Sequence, residues 1–116
     1  VAAGLVAAIG ARNAAMMLMT GDPYDAKQMR DWGLVSEVVA APKLMARAQE
    51  IATRIAENAP LATQMAKINL AAALNMAADQ AVRYERDLQT ISFATEDANE
   101  GRRAFAEKRK PVFYGR

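Results

Sequence analysis

The sequence FATEDANEGRRAFAEKRKPVF occupies residues 93–113 and predicts one short helix with both ends marked. Thr95 is a favoured type of residue for capping a helix start, and the two acidic residues after it suit the positive end of the helix dipole. The basic run Lys108–Lys110 suits the negative end, and Pro111 cannot continue a helix. Gly101 costs about 1 kcal/mol relative to alanine inside a helix, which indicates close packing of the backbone there.

Further helices are predicted upstream, because apolar and polar residues recur with helical spacing through most of the chain. The predicted segments are Arg12–Met19 ended by Gly21, a helix capped by Asp25 that runs to about Trp32 and is ended by Gly33, Lys43–Asn58, Pro60–Met76, and a helix that begins at Asp79. In the last of these, Arg83 lies one turn from both Asp79 and Asp87. Ion pairs along that helix are therefore predicted.

Residues 34–39, LVSEVV, alternate in polarity and are rich in β-branched side chains, which makes them the one candidate strand. The chain offers this strand no partner, and an isolated strand is not stable in water. The sequence therefore predicts an all-α fold with at most one short extended segment near residues 35–39.

Two of the predicted helices carry apolar surface that the chain itself cannot cover well. Pro60–Met76 is apolar on most sides, with Lys67 as its only charge, and Lys43–Asn58 is apolar along one face. A chain of 116 residues in which much of the apolar content is alanine builds a modest core. We therefore expect a marginal fold that is completed by a partner, including further copies of the chain.

Composition excludes several kinds of chemistry. The chain has no cysteine and no histidine, so disulfides, thiolate catalysis, a serine or cysteine triad and the commonest metal ligand are missing. No metal site is expected. The opening VAAGLVAAI is too short for a membrane span and lacks the basic leader of a signal peptide. A start in such a stretch, without methionine, indicates a piece of a longer protein.

Charge is concentrated near the end of the chain. The net charge of +2 comes from residues 96–116, which carry six basic and four acidic side chains. No interleaved aromatic residues or recognition motif accompany these cations, so nucleic-acid binding is not expected.

Three blocks of sequence together resemble the carboxy-terminal part of the enoyl-CoA hydratase/isomerase (crotonase) family. They are LMTGDPYDA at 18–26 running on to WGLVSEVV at 32–39, NAPLA at 58–62 followed by Ala66 and Lys67, and the stretch at 93–113. The resemblance implies that residues 1–116 form the helical carboxy-terminal subdomain of the crotonase α/β fold. In the family this region serves trimerisation and lines part of the acyl-CoA pocket, and the catalytic core precedes it.

The resemblance also implies a function for the parent enzyme, which is reversible addition of water across 2-enoyl-CoA thioesters. Coenzyme A would enter as part of the substrate, with no separate cofactor. The partners implied are an acyl-CoA and further copies of the chain, in a trimer or a dimer of trimers, and the location implied is cytoplasmic.

Lys108 and Phe93 are the residues that the resemblance points to for binding coenzyme A. The lysine that opens the Lys-Arg-Lys-Pro run is similar to one that reaches the nucleotide end of coenzyme A, often from a neighbouring subunit. Gln89 stands where some hydratases carry an aromatic residue. The family's catalytic glutamates and oxyanion hole lie upstream, and Glu96 and Asp97 diverge by about 100° on a helix. We therefore expect no catalytic residue in this chain and no activity from it alone.

Two alternatives remain open from the sequence. The parent enzyme could be another crotonase-family isomerase, dehydratase or hydrolase, since the residues that select the reaction lie elsewhere. The chain could instead be a non-catalytic helical module that works by oligomerising or by binding a partner. For Lys108–Lys110, composition alone favours a solvated helix end over an anion site.

Overall fold

The structure is a computed structural model that describes residues 2–116, which form helices joined by loops and no strand. The helices are α1 Ala2–Thr20, α2 Ala26–Asp31, a 3₁₀ turn Ala41–Lys43, α3 Leu44–Ala56, α4 Pro60–Ala73, α5 Ala78–Phe93 and α6 Glu96–Ala106. The chain divides into two compact units, the first ending at Arg47 and the second running Ala48–Arg116. The all-α fold predicted from the sequence is confirmed.

In the first unit, α1 is broken at Gly10, whose φ of 77° and ψ of 159° are not helical. Gly21 ends α1 with a φ of 68°, as predicted. By length and composition α1 could cross a membrane, a criterion that core helices of soluble proteins also meet. The break at Gly10 divides it into segments that are each shorter than the roughly 20 residues a straight span requires.

The second helix follows the predicted pattern closely. The carboxylate of Asp25 accepts a hydrogen bond from Gln28 N at 2.7 Å and so caps the start of α2. Gly33 follows its end with a φ of 88°. Among residues 2–47, the buried ones are Ile9, Ala14 and Met29.

The candidate strand at residues 34–39 is irregular backbone in the structure. This agrees with the absence of a partner, because an extended segment without a neighbouring strand has no ladder of hydrogen bonds. The segment is fixed by a side chain instead, since Glu37 accepts from Arg47 Nε at 2.9 and 3.0 Å.

In the second unit, α4 begins at Pro60, packs against α5, and ends at Ala73, three residues before the predicted end. Asn75 explains the early end, because its side-chain amide donates to the carbonyl of Ala71 at 2.9 Å. This bond competes with the backbone hydrogen bond that a continuing helix would make to the same carbonyl. No residue of α4 is buried; Leu70 on the helix and Leu74 directly after its end expose 71% and 74% of their surface.

Helix α6 is capped by Thr95, whose Oγ1 accepts from Ala98 N at 3.1 Å. After α6 the chain turns back, and residues 109–116, the tail, run beside the helix that they follow. Ala104 and Asp97, both on α6, are the buried residues of the second unit. The helix and its tail therefore form the most closely packed part of this unit.

Candidate functional site at the end of the last helix

The site begins with the turn that ends α6. Lys108 has a φ of 54°, and it is the one described residue other than glycine with a positive φ. Lys108 N donates to Phe105 O at 3.2 Å and Arg109 N donates to Ala104 O at 3.0 Å. These two bonds form the Schellman motif, whose left-handed position normally holds glycine. A lysine therefore occupies a position where its side chain carries a conformational cost.

The three cations of Lys108–Lys110 have different surroundings. Arg109 is held by Glu100 at 2.5 and 3.0 Å and by Glu107 at 2.6 Å. Lys110 Nζ lies 3.7 Å from Glu57, although both side chains are largely exposed. Lys108 is exposed, and in residues 2–116 no carboxylate forms an ion pair with it. Within the described residues, Lys108 is thus the cation of this run that has no carboxylate partner.

Glu100 is the most strongly perturbed carboxyl of the site. The hydrogen bond from Arg109, and then the one from Val112 N at 3.1 Å, lower the pKa of Glu100 from 4.5 to about 2. In turn, the hydrogen bond to Glu100 raises the pKa of Arg109 above its ordinary range. The side chain of Glu100 is only 14% exposed, so the pair is sheltered from solvent on the carboxylate side. Both groups stay charged at neutral pH.

Asp97 holds the far end of the tail. Its side chain is buried, and its two carboxylate oxygens accept from Tyr114 N and Gly115 N, each at 2.7 Å. Its backbone N–H donates to Arg116 O at 3.1 Å. The sequence indicated a role for Asp97 only at the helix start; its part in binding the tail depends on contacts 17 and 18 residues away, for which the sequence gives no signal.

The two residues predicted to bind coenzyme A are not brought together. Phe93 is the last residue of α5 and Lys108 follows α6, so the eleven-residue α6 separates them by about 16 Å of helical rise. Both are exposed. Phe105, which sequence reasoning missed, lies one turn before Lys108 and exposes 87% of its surface. No signal in the sequence indicated it, because Lys108 lies beyond the end of α6 in a left-handed turn, where helix spacing no longer decides which side chains are neighbours.

A groove of about 850 Å³ lies beside the tail. Its apolar lining comes from Ile51 and Ile55 of α3 and from Pro111 and Phe113 of the tail. Lys110 and Glu57 stand at its polar side. Lys108 is not among the residues that line this groove.

The carboxylates of α6 are all committed to contacts within the unit. Glu96 pairs with Arg116 at 3.0 Å, Asp97 binds the tail backbone, and Glu100 binds Arg109. Within residues 2–116, no group of three or more acidic side chains is arranged to share a metal ion. The acidic residues of this helix therefore organise the tail.

Comparison with known proteins identifies the family. The family model described as enoyl-CoA hydratase/isomerase matches residues 1–116. The chain belongs to this family. The enoyl-CoA hydratase/isomerase assignment confirms the resemblance that the three sequence blocks indicated.

Relatives within the enoyl-CoA hydratase/isomerase family catalyse more than one reaction, by their names. The chain is 37% identical to a 2,3-dehydroadipyl-CoA hydratase of Escherichia coli over 97% of its own length and 44% of that protein. It is 40% identical to a carnitinyl-CoA dehydratase of Citrobacter koseri over 86% of its own length and 40% of that protein. The chain thus spans less than half the length of these relatives.

The fold agrees with solved structures of the same family. The crystal structure of an enoyl-CoA hydratase from Bacillus anthracis matches 97% of the chain with a TM-score of 0.93 and 32% identity, and the match covers 43% of that structure. The helical arrangement is therefore that of one part of a crotonase-type fold.

Proposed function

We propose that this chain is the helical carboxy-terminal region of a crotonase-type enzyme that adds water across the double bond of 2-enoyl-CoA thioesters. In this proposal a catalytic half precedes the chain, and the two together are called the full-length enzyme below. Family membership and the coverage of less than half of the relatives support the division. The chain's own part is to bind the nucleotide end of the acyl-CoA and to join subunits into a trimer or dimer of trimers. A cytoplasmic location goes with this role.

The observation that carries the binding role is the difference between Lys108 and its neighbours. Arg109 is neutralised by two carboxylates, and the exposed Lys110 lies near Glu57. Lys108 is exposed, without a carboxylate partner in the described part of the chain, and held on a turn of fixed geometry. A phosphate of coenzyme A is the anion that an acyl-CoA substrate offers to such a cation.

Phe93 and Phe105 add apolar surface to the proposed binding region. Lys108 N donates to Phe105 O across the turn, and the Phe105 ring is exposed. In this proposal a purine ring contacts Phe105 while a phosphate contacts the lysine. Phe93 exposes 58% of its surface at the other end of α6. In this proposal Phe93 contacts a different part of the extended acyl-CoA molecule, or one bound to a neighbouring subunit, because α6 separates it from Lys108.

The test is steady-state kinetics of Lys108→Ala in the full-length enzyme with crotonyl-CoA. An exposed ion pair contributes about 0.2–1 kcal/mol, so KM should rise up to about fivefold. The turnover number should stay nearly unchanged, because the nucleotide is bound equally in the ground and transition states. The effect should shrink as salt is added.

Lys110→Ala is the matched control, since it removes the same charge two residues away. Equal losses in both variants would indicate diffuse charge in place of a specific contact. An unchanged KM for Lys108→Ala at low salt would remove Lys108 from the proposed site.

A second candidate function is a helical module that acts only through association. The observation in its favour is the apolar surface of α4, where no residue is buried. Retention of coenzyme A binding in the full-length enzyme argues for the first function, and a stable oligomer without affinity for coenzyme A argues for the second. The dehydratase among the relatives keeps a second reaction open for the parent enzyme.

A further inference from the structure

Glu100 connects the middle of α6 to the turn that carries Lys108. Its two carboxylate oxygens contact Arg109 Nη1 and Nη2 at 2.5 and 3.0 Å, which is a two-point contact across nine residues. The first oxygen also accepts from Val112 N at 3.1 Å. The Glu100 side chain therefore holds Arg109 and Val112, which lie on either side of Pro111 in the segment that follows Lys108.

We propose that Glu100 is a positioning residue for the bound acyl-CoA, acting through Lys108, which it holds in place by fixing Arg109 and the tail. This inference rests on the proposed function. Glu100 itself touches no substrate in this proposal. Its role is to set the geometry of the turn and to keep the guanidinium of Arg109 occupied.

The first argument is geometric. Lys108 adopts a left-handed backbone that is unfavourable for a residue with a side chain. Such a conformation persists only where the surroundings determine it. The Schellman bonds fix the helix side of the turn, and the contacts of Glu100 with Arg109 and Val112 fix the tail side. With both sides fixed, the lysine side chain leaves from a defined position.

The second argument concerns charge. Arg109 is adjacent to Lys108 and would compete for the same phosphate if its guanidinium were free. Glu107 also contacts Arg109, but its side chain is 57% exposed, so this contact is weak by itself. Glu100, at 14% exposed, supplies the sheltered two-point partner that arginine binds best. Lys108 is thereby left as the cation that meets the ligand.

The experiment compares Glu100→Gln, Lys108→Ala and the double variant in the full-length enzyme with crotonyl-CoA. Glutamine keeps the shape of the side chain and removes the charge that holds Arg109. We expect Glu100→Gln to raise KM at least threefold with the turnover number within twofold of wild type. In the Lys108→Ala background the same substitution should change KM less than 1.5-fold, because the residue that it positions is gone.

Glu96→Gln is the matched control, since it removes a carboxylate from the same helix whose ion pair, among residues 2–116, is with the exposed Arg116. It should leave KM unchanged. Arg109→Lys is the second variant, used in case Glu100→Gln does not fold; it keeps the charge, loses the two-point contact, and should raise KM by a smaller factor.

The outcomes separate this inference from the proposed function. If Lys108→Ala raises KM and both Glu100→Gln and Arg109→Lys leave it unchanged, the positioning role is wrong and the lysine assignment stands. If Glu100→Gln raises KM equally with and without Lys108, Glu100 acts on the fold in general and the inference is overturned. If Lys108→Ala itself has no effect, the proposed function fails first.

Discussion

Lys108 combines a backbone conformation that favours glycine with a side chain that glycine lacks. Lys108→Gly should therefore stabilise the chain while it weakens ligand binding. Glycine relieves the strain of the left-handed backbone but adds entropy to the unfolded chain. The net increase in the free energy of unfolding should be about 0.5–1 kcal/mol. Urea unfolding measures the gain, and KM of the full-length enzyme should rise as it does for Lys108→Ala. Lower stability of the glycine variant would contradict the strain at this residue.

The pH dependence of stability should report on Glu100. Its pKa is lowered to about 2 in the fold, so its contribution is fully present above its unfolded pKa of 4.5. That contribution is lost as pH falls from about 4.5 towards 2. The difference in Tm between wild type and Glu100→Gln should be largest above about pH 5 and should close as pH approaches 2. Thermal unfolding followed by circular dichroism across this range measures it, with Glu96→Gln as a control that shifts Tm little at any pH.

At the scale of single elements, α6 has room for a side chain at Gly101. A Cβ there would lie 3.8 Å from the ring of Phe113, an ordinary contact distance. Gly101→Ala should therefore stabilise the chain by about 0.5–1 kcal/mol through helix propensity. Gly115→Ala is the contrasting variant: its Cβ also has room, 3.6 Å from Pro60, but the φ of 76° makes alanine unfavourable. The midpoint of urea unfolding should rise for Gly101→Ala and fall for Gly115→Ala.

Helix ends set by neighbouring residues were predictable from the sequence. The caps at Asp25 and Thr95 and the glycine ends at Gly21 and Gly33 are confirmed, because each depends on residues within one turn. The end of α4 was predicted three residues late. The side-chain amide of Asn75 is a local feature that the apolar pattern did not reveal.

Contacts between distant parts of the chain were not predictable. One prediction within a helix is also wrong: in the described residues no ion pair joins Arg83 to Asp79 or Asp87, and Asp87 pairs with Arg86 at 3.6 Å. Asp97 and Glu100 were not recognised as anchors of the tail, because the return of residues 109–116 along α6 is a tertiary feature. The left-handed Lys108 was also missed, since lysine is not a residue that this backbone favours.

At the scale of the whole chain, apolar surface outweighs buried core. Large apolar side chains on α4 and at its end are exposed, among them Ile68, Leu70 and Leu74. The buried residues of the second unit are Ala104 and Asp97. Surface of this kind in a chain of this size normally belongs to an interface. We therefore expect that a partner covers it in the proposed enzyme.

The isolated chain should accordingly associate. Sedimentation at micromolar concentration should show a monomer only as a minority species. Leu70→Gln with Leu74→Gln should raise the monomer fraction, because both side chains are more than 70% exposed and their replacement removes apolar contact area. Lys67→Gln on the same helix is the control and should leave association unchanged. A clean monomer for the wild-type chain would contradict the interface assignment of α4.

Gly10 is an exposed position with free space around it, and it should nevertheless reject substitution during evolution. Both Gly4 and Gly10 are exposed, and a Cβ at either would meet nothing within 4 Å. The backbone of Gly10 nevertheless lies in a region that essentially only glycine adopts, whereas Gly4 is helical. In a library that carries every substitution at positions 4 and 10 and is selected for folded protein, alanine should become enriched at position 4 and depleted at position 10. The substitutions that evolution can accept at Gly10 are thus limited by its backbone dihedral angles, and the number of neighbouring atoms does not reveal this limit.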